Sequence, residues 1–146
     1  MKRREFLGSL SGPVVAACAV CMGACSKSSS GSSTTNPPAG TNPPPAANFT
    51  IDLGTNLTSV GSSLVQGGVI VVRLATGNAA SSFTAVAVAC THEGTAVNFN
   101  LANNQFVCPN HGSIFTSSGA VTLGPASSAL KKYSIAISGN TMTITG

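Results

Sequence analysis

From residue 49 onward, short runs of β-branched and other apolar residues alternate with runs of Gly, Asn, Ser and Thr. Runs of this kind are typical of β-strands separated by turns. No segment carries an apolar period of 3.6 residues over about eleven positions, so the pattern predicts no amphipathic helix. We expect eight strands, near residues 49–53, 63–74, 83–90, 95–100, 104–108, 120–122, 130–138 and 141–145.

Two dipeptides refine this prediction. Gly67-Gly68 divides the run 63–74 and predicts a bulge or a tight turn there. Gly139-Asn140 predicts a two-residue hairpin turn between the last two strands. The predicted fold class is therefore all-β, a small antiparallel sandwich or barrel.

Composition divides the chain into three parts. Residues 1–24 begin with basic residues and continue with a moderately apolar stretch, as an export signal does. Residues 25–48 are rich in Ser, Gly, Thr, Pro and Asn, which cannot build a core, so we interpret them as a linker. Fully extended at about 3.1 Å per residue, the linker would reach on the order of 70 Å. Residues 49–146 are predicted to form one small domain.

The charges exclude two classes of function. The formal net charge is +4, but three of the seven cationic residues precede residue 5. From Cys25 onward, four cationic residues are set against two carboxylates, which leaves +2 and no basic stripe for binding nucleic acid. Those carboxylates are Asp52 and Glu93, and we interpret Glu93 as a solvated loop residue. With so few carboxylates, a stand-alone acid–base enzyme is not expected.

Two short motifs hold every soft metal ligand of the predicted domain. Residues 90–92 read Cys-Thr-His, and residues 108–111 read Cys-Pro-Asn-His after fifteen intervening residues. They contain both histidines of the chain and its only cysteines after Cys25. Thiolate and imidazole are the ligands that zinc and iron–sulfur centres use, so the spacing predicts a metal centre.

A Cys-x-His pair followed by a Cys-x-x-His pair resembles the Rieske iron–sulfur family. The resemblance implies one 2Fe-2S cluster in a subdomain formed by two ligand loops. Cys90 and Cys108 would hold one iron as thiolates, and His92 and His111 would hold the other as neutral imidazoles. Two neutral histidines leave the oxidised centre uncharged, whereas four thiolates would make it doubly negative. We therefore expect a higher reduction potential than in an all-cysteine cluster.

Other residues near the motifs also match this family. Gly94 and Gly112 are expected to form tight turns within the two ligand loops. Gly124 and Pro125 resemble the start of the proline loop that covers the cluster from a third side. Ser113 is retained as a hydrogen-bond donor toward a bridging sulfur.

The chain departs from the high-potential members of this family at three positions. Members that serve bc-type complexes carry two further cysteines, which join the loops by a disulfide; the matching residues here are Thr95 and Asn110. Those members also carry a tyrosine whose hydroxyl bonds a ligand sulfur, and the matching residue here is Phe115. With one donor fewer, we expect an intermediate potential within the Rieske range of about −150 to +300 mV.

The N-terminal residues indicate export and a membrane tether. Residues 2–7 are similar to the twin-arginine signal, with Lys2 where Ser or Thr is usual; an ordinary basic signal region is the alternative. The twin-arginine route exports folded proteins, so a cluster can be carried out intact. Residues 22–25 resemble a lipoprotein processing site, at which Cys25 would carry acyl chains. An uncleaved anchor and cleavage to a soluble protein are the alternatives.

We therefore expect an extracytoplasmic, membrane-tethered protein that passes single electrons. Quinol and a c-type cytochrome are the expected donor and acceptor, and the expected partners are a cytochrome or a membrane oxidoreductase. One alternative is a small Rieske subunit of a periplasmic oxidoreductase. Another is a binding module stabilised by a structural zinc or by a Cys90–Cys108 disulfide. The disulfide would give no role to His92 and His111.

Overall fold

The computed structural model describes residues 43–146. The predicted export signal, the predicted lipidation site at Cys25 and most of the predicted linker lie outside the described residues. Within residues 43–146, no helix is long and apolar enough to cross a membrane.

Ten strands and one short 3-10 helix make up the described chain. The strands are β1 (Asn48–Asp52), β2 (Ser63–Gln66), β3 (Val69–Arg73), β4 (Phe83–Ala87), β5 (Asn98–Asn100), β6 (Gln105–Val107), β7 (Ile114–Thr116), β8 (Val121–Leu123), β9 (Ser134–Ser138) and β10 (Thr141–Thr145), and the 3-10 helix is Ala80–Ser82. The all-β prediction is confirmed.

The strands form three small antiparallel sheets. Their strand orders are β1-β10-β9, β2-β3-β4 and β5-β6-β7-β8. Most neighbours in these sheets follow each other along the chain, and β1 pairs with β10 to bring the two ends of the domain together. The predicted antiparallel arrangement is therefore confirmed.

The β3–β4 hairpin is the shared wall between two apolar cores. Successive side chains of a strand point to opposite faces of its sheet. Val69 and Val71 accordingly pack in a first core with β1 and β10 residues, while Ile70 and Val72 pack in a second core. This explains why β3 is a continuous apolar run, since a strand covered on both faces needs no polar alternation.

The second core reaches the two cysteines. It contains Cys90 and Cys108, each 2% exposed, together with Phe106 and Phe115, which are fully buried. The aromatic side chains come from the paired strands β6 and β7. The two candidate cysteine ligands are therefore part of the packed interior.

Most differences between prediction and structure concern strand ends. The turn at Gly67-Gly68 divides the predicted strand 63–74 into β2 and β3, and the hairpin at Gly139-Asn140 is confirmed. The predicted strand 130–138 begins at residue 134, with Lys132 joined to Val86 by an isolated bridge. The strand β7 was not predicted, because three residues between a ligand motif and a Ser-Ser-Gly turn are too few to show a pattern.

Contacts of the folded domain begin before the predicted start at residue 49. The Tyr133 hydroxyl donates a hydrogen bond to the carbonyl of Pro45 (2.7 Å). The amide of Ala47 donates to the carbonyl of Gly146 (2.6 Å), and the amide of Gly146 donates back (3.0 Å). The last residues of the proline-rich tract are thus bonded to the C-terminal part of the domain.

Replacing Tyr133 by Phe is expected to lower the free energy of unfolding by about 0.5–1.5 kcal/mol, because the hydrogen bond to Pro45 is lost. Burial raises the pKa of Tyr133 above its ordinary value of 10.0, so the phenol ionises more easily in the unfolded chain than in the folded chain. This contribution is constant below about pH 10 and lowers stability as the pH rises further.

Urea denaturation of both proteins at about pH 7 and about pH 10.5 measures this effect. The Tyr133→Phe variant should be less stable than wild type at about pH 7. Between about pH 7 and about pH 10.5 it should lose less stability than wild type does. An equal loss in both proteins would show that Tyr133 does not titrate as its burial requires.

Candidate metal centre

The first ligand loop, residues 90–95, is a tight turn that begins with a cysteine. The Cys90 amide donates to the carbonyl of Thr95 (2.8 Å), and the Gly94 amide donates to the carbonyl of Cys90 (2.7 Å). The bridge between Ala89 and Ala96 closes the loop at its base. His92 lies two residues after the cysteine, within this turn.

The second ligand loop, residues 108–113, has the same backbone pattern. The Cys108 amide donates to the carbonyl of Ser113 (2.8 Å), and the Gly112 amide donates to the carbonyl of Cys108 (3.1 Å). The strand pair of Val107 and Ile114 closes this loop at its base. The two motifs differ in Cys-to-His spacing, but their loops are equivalent in hydrogen bonding.

Each loop requires a glycine four residues after its cysteine. Gly94 has a φ of +76° and Gly112 has a φ of +74°, in the left-handed region that disfavours a side chain. A Cβ atom at either position would meet nothing within 4 Å. Backbone conformation, not space, is therefore the reason for glycine here.

The two cysteines are buried thiols that form no disulfide. Burial raises the pKa of Cys90, a backbone hydrogen bond from His92 lowers it, and the neighbouring thiol of Cys108 raises it. A thiolate is therefore unfavourable at Cys90 in the metal-free chain, whereas a bound cation would stabilise it. The alternative of a Cys90–Cys108 disulfide is not formed in this structure.

The two histidines face each other across the loops. Their ring centroids are 5.0 Å apart, and the rings are nearly perpendicular, at 84°. His92 is half-buried, and its Nδ1 atom is buried without a hydrogen-bond partner. His111 is exposed, with its Nδ1 atom 3.5 Å from a carboxylate oxygen of Glu93. A buried nitrogen without a partner and two free thiols form a donor set that fits a metal–sulfur cluster.

A third segment, residues 124–128, lies against both loops. The Ala126 amide donates a hydrogen bond to Ser113 Oγ (3.0 Å), and Thr91 Oγ1 donates to the carbonyl of Ser128 (2.6 Å). A hydrogen bond from Ser113 also lowers the pKa of Cys90, so this hydroxyl stabilises negative charge on the sulfur. The segment includes Gly124 and Pro125, and its position against both loops agrees with the predicted covering loop.

The sequence did not predict one contact between the loops. Asn110 Nδ2 donates a hydrogen bond to Glu93 Oε2 (3.1 Å), so Glu93 is exposed but not merely solvated. Glu93 follows His92, and Asn110 precedes His111. The sequence does show that a carboxylate and an amide stand directly beside the two histidines. No sequence pattern indicated that the two loops bring Glu93 and Asn110 into contact.

Comparison with known proteins identifies similar sequences. A family model described as the Rieske [2Fe-2S] domain matches residues 52–134. The chain is 39% identical over 67 residues to the cytochrome b6-f complex iron-sulfur subunit of Chlorobaculum thiosulfatiphilum, a match that covers 46% of this chain and 37% of the relative. The corresponding subunit of Prochlorococcus marinus (strain MIT 9303) is 36% identical over 97 residues, or 59% of this chain and 54% of the relative. The chain thus spans between about a third and about half of the length of these two relatives.

A solved structure has a similar fold. The ferredoxin of carbazole 1,9a-dioxygenase from Nocardioides aromaticivorans IC177 superposes with a TM-score of 0.51 and 19% sequence identity. The superposition covers 69% of this chain and 97% of the ferredoxin. At this identity the likeness concerns the fold alone.

Replacing Gly94 or Gly112 by Ala is expected to lower the free energy of unfolding by about 1–2 kcal/mol, because alanine must adopt a left-handed backbone. Bound iron per chain should fall as well, since each glycine closes a ligand loop. Urea denaturation and iron analysis of the purified variants measure the two effects.

The matched control is Gly77→Ala. Gly77 also has a positive φ, +89°, with nothing within 4 Å of a Cβ, but it lies outside the loops. It should lose similar stability and keep its iron. Equal iron loss in all three variants would show that the loop glycines have no specific role at the site.

Proposed function

The chain belongs to the Rieske [2Fe-2S] domain family, whose cofactor is a 2Fe-2S cluster, and from this we propose that it is an extracytoplasmic carrier of single electrons. The observation that carries the proposal is the pair of free buried thiols at the start of two loops whose histidine rings lie 5.0 Å apart. Such a donor set serves a mixed-ligand cluster, which supplies a site for one electron. The few carboxylates of the domain agree with a carrier that performs no acid–base chemistry of its own.

We propose that Cys90 and Cys108 hold one iron as thiolates and that His92 and His111 hold the other as neutral imidazoles. The burial of both thiols without a disulfide supports the cysteine assignment. The unpartnered, buried Nδ1 of His92 supports the histidine assignment. A structural zinc would use the same four side chains, but the family match favours the iron–sulfur cluster.

Neighbouring side chains would adjust the affinity for an electron. Ser113 is fully buried, and its hydrogen bond stabilises negative charge on the Cys90 sulfur, which favours the reduced state. Phe115 is also fully buried in the second core but has no hydroxyl to add a further hydrogen bond. We therefore propose a reduction potential in the middle of the range of about −150 to +300 mV.

The partners are proposed from the relatives. Two similar proteins are named as iron–sulfur subunits of cytochrome b6-f complexes. On that basis we propose a cytochrome-containing membrane complex as the partner, quinol as the donor and a c-type cytochrome as the acceptor. The exposed ring of His111 supports electron exchange at the protein surface.

The tether is proposed from the N-terminal sequence. The Arg3-Arg4 pair followed by Phe6 and Leu7 supports export by the twin-arginine route, in which the domain crosses the membrane folded. Residues 22–25 support lipidation of Cys25, with residues 26–48 as the linker between the lipid and the domain from residue 49. The hydrogen bond from Tyr133 to the Pro45 carbonyl shows that contacts with the domain reach back to residue 45 of this tract.

Substituting either histidine tests the cluster assignment. In the reduced protein we expect a rhombic EPR signal with the low average g value of histidine-ligated clusters. His92→Ala and His111→Ala should each abolish this signal, because one iron loses a ligand, while Lys132→Ala, at an exposed position, should keep it. A normal signal in His92→Ala would show that His92 is not a ligand.

Two N-terminal variants test the tether. The Arg3→Lys/Arg4→Lys variant keeps the charge and should remain in the cytoplasm, because the export machinery recognises arginine specifically. The Cys25→Ser variant should be exported but should no longer incorporate labelled fatty acid, because the acylated thiol is missing. Cell fractionation with immunoblotting measures export and fatty-acid labelling measures lipidation; a wild-type protein that takes up no label and stays in the membrane would contradict lipidation and favour an uncleaved anchor.

A further inference from the structure

The third segment is bonded separately to each ligand loop. Thr91 of the first loop donates to the carbonyl of Ser128, and Ser113 of the second loop accepts from the amide of Ala126. No backbone hydrogen bond within residues 43–146 joins loop 90–95 directly to loop 108–113. Direct hydrogen bonds between the two loops are therefore made by side chains.

One such contact lies directly beside both histidines. Asn110 Nδ2 donates to Glu93 Oε2 at 3.1 Å, and the same carboxylate oxygen lies 3.5 Å from His111 Nδ1. Because Glu93 follows His92 along the chain and Asn110 precedes His111, this bond joins the two peptide segments that carry the imidazoles. A hydrogen bond to an ionised acceptor is stronger than one between neutral groups, although exposure to water weakens it.

We propose that Glu93 and Asn110 form a positioning pair that holds His92 and His111 at the spacing needed to keep an iron bound. This rests on the proposed function, since it takes both histidines as ligands. Neither residue need touch the cluster; each acts through the histidine next to it. In the family members with a loop disulfide, a cysteine stands at the position of Asn110, whereas here the Asn110 side chain joins the loops without a covalent bond.

The reason for a pair is the geometry of the loops. Each loop is closed at its base by strand pairing and by internal hydrogen bonds, which fix its own shape. The tips, where the histidines lie, are farthest from that support and are partly exposed. The bond between Asn110 and Glu93 and the close approach of Glu93 to His111 join the tips, and a larger separation of the tips would draw a histidine away from the iron.

The test is the rate at which cluster-loaded protein loses its visible absorbance in excess iron chelator. Asn110→Ala and Glu93→Ala should each form the cluster but lose it on the order of three- to tenfold faster than wild type. The double variant should lose it no faster than Glu93→Ala alone, because that change already removes the bond to Asn110. Glu93→Gln keeps an acceptor oxygen for Asn110 and should stay close to the wild-type rate.

Asn103→Ala is the matched control, an exposed asparagine in the turn between β5 and β6 whose loss should leave the rate unchanged. Urea unfolding of the cluster-loaded variants separates positioning from general destabilisation. A loss of unfolding free energy that converts through RT ln to the whole fold-change in release rate would assign the pair a merely structural role and overturn the proposal.

The remaining outcomes are also decisive. Rates equal to wild type in Asn110→Ala and Glu93→Ala would overturn the pair and leave the ligand assignment intact. Effects that multiply in the double variant would show that the residues act independently. If wild type itself takes up no 2Fe-2S cluster, the proposed function fails and the positioning pair fails with it.

Discussion

Two free thiols buried side by side impose the main constraint on this domain. Cys90 and Cys108 are each 2% exposed in the second core, and burial and the neighbouring thiol both raise the pKa of Cys90. The thiolates that the proposed iron ligation would require are therefore disfavoured without a cation beside them. On the proposed assignment, folding of the loops and binding of the cluster would be linked, as in other small metal domains.

The fold meets this constraint by placing both loops at the ends of paired strands. The Ala89–Ala96 bridge closes one loop and the Val107–Ile114 pair closes the other. Beneath them, the β3–β4 hairpin contributes side chains to both cores, so the second core and the loops rest on a wall that is packed on each face. Rigid strands thus fix the positions of the cysteines, while the loops fix only the direction of the histidines.

The sequence was sufficient to predict the fold class and to single out four ligand candidates, for a physical reason. Each strand is a short run of β-branched and apolar residues that can be recognised locally in the sequence. Two Cys–His motifs at short spacing indicate a metal centre, because few other sites use that combination. Strand β7 escaped prediction because three residues show no period. The bond between Asn110 and Glu93 also escaped prediction, since it depends on how two turns meet in space, and neither motif contains that information.

The site is buried at the cysteines and more exposed at the histidines. The hydrogen bonds that hold the loops are weaker at the exposed side. Ser113 is fully buried where it accepts the Ala126 amide, so that hydrogen bond is shielded from water. The bond between Asn110 and Glu93 is exposed to water, which competes for both partners. A carrier benefits from a cluster close to its surface, because electron transfer is faster when the distance to the partner's redox centre is short. At the histidine side, access for electrons and retention of the iron therefore make opposite demands on exposure. Iron is expected to leave the protein from that side first.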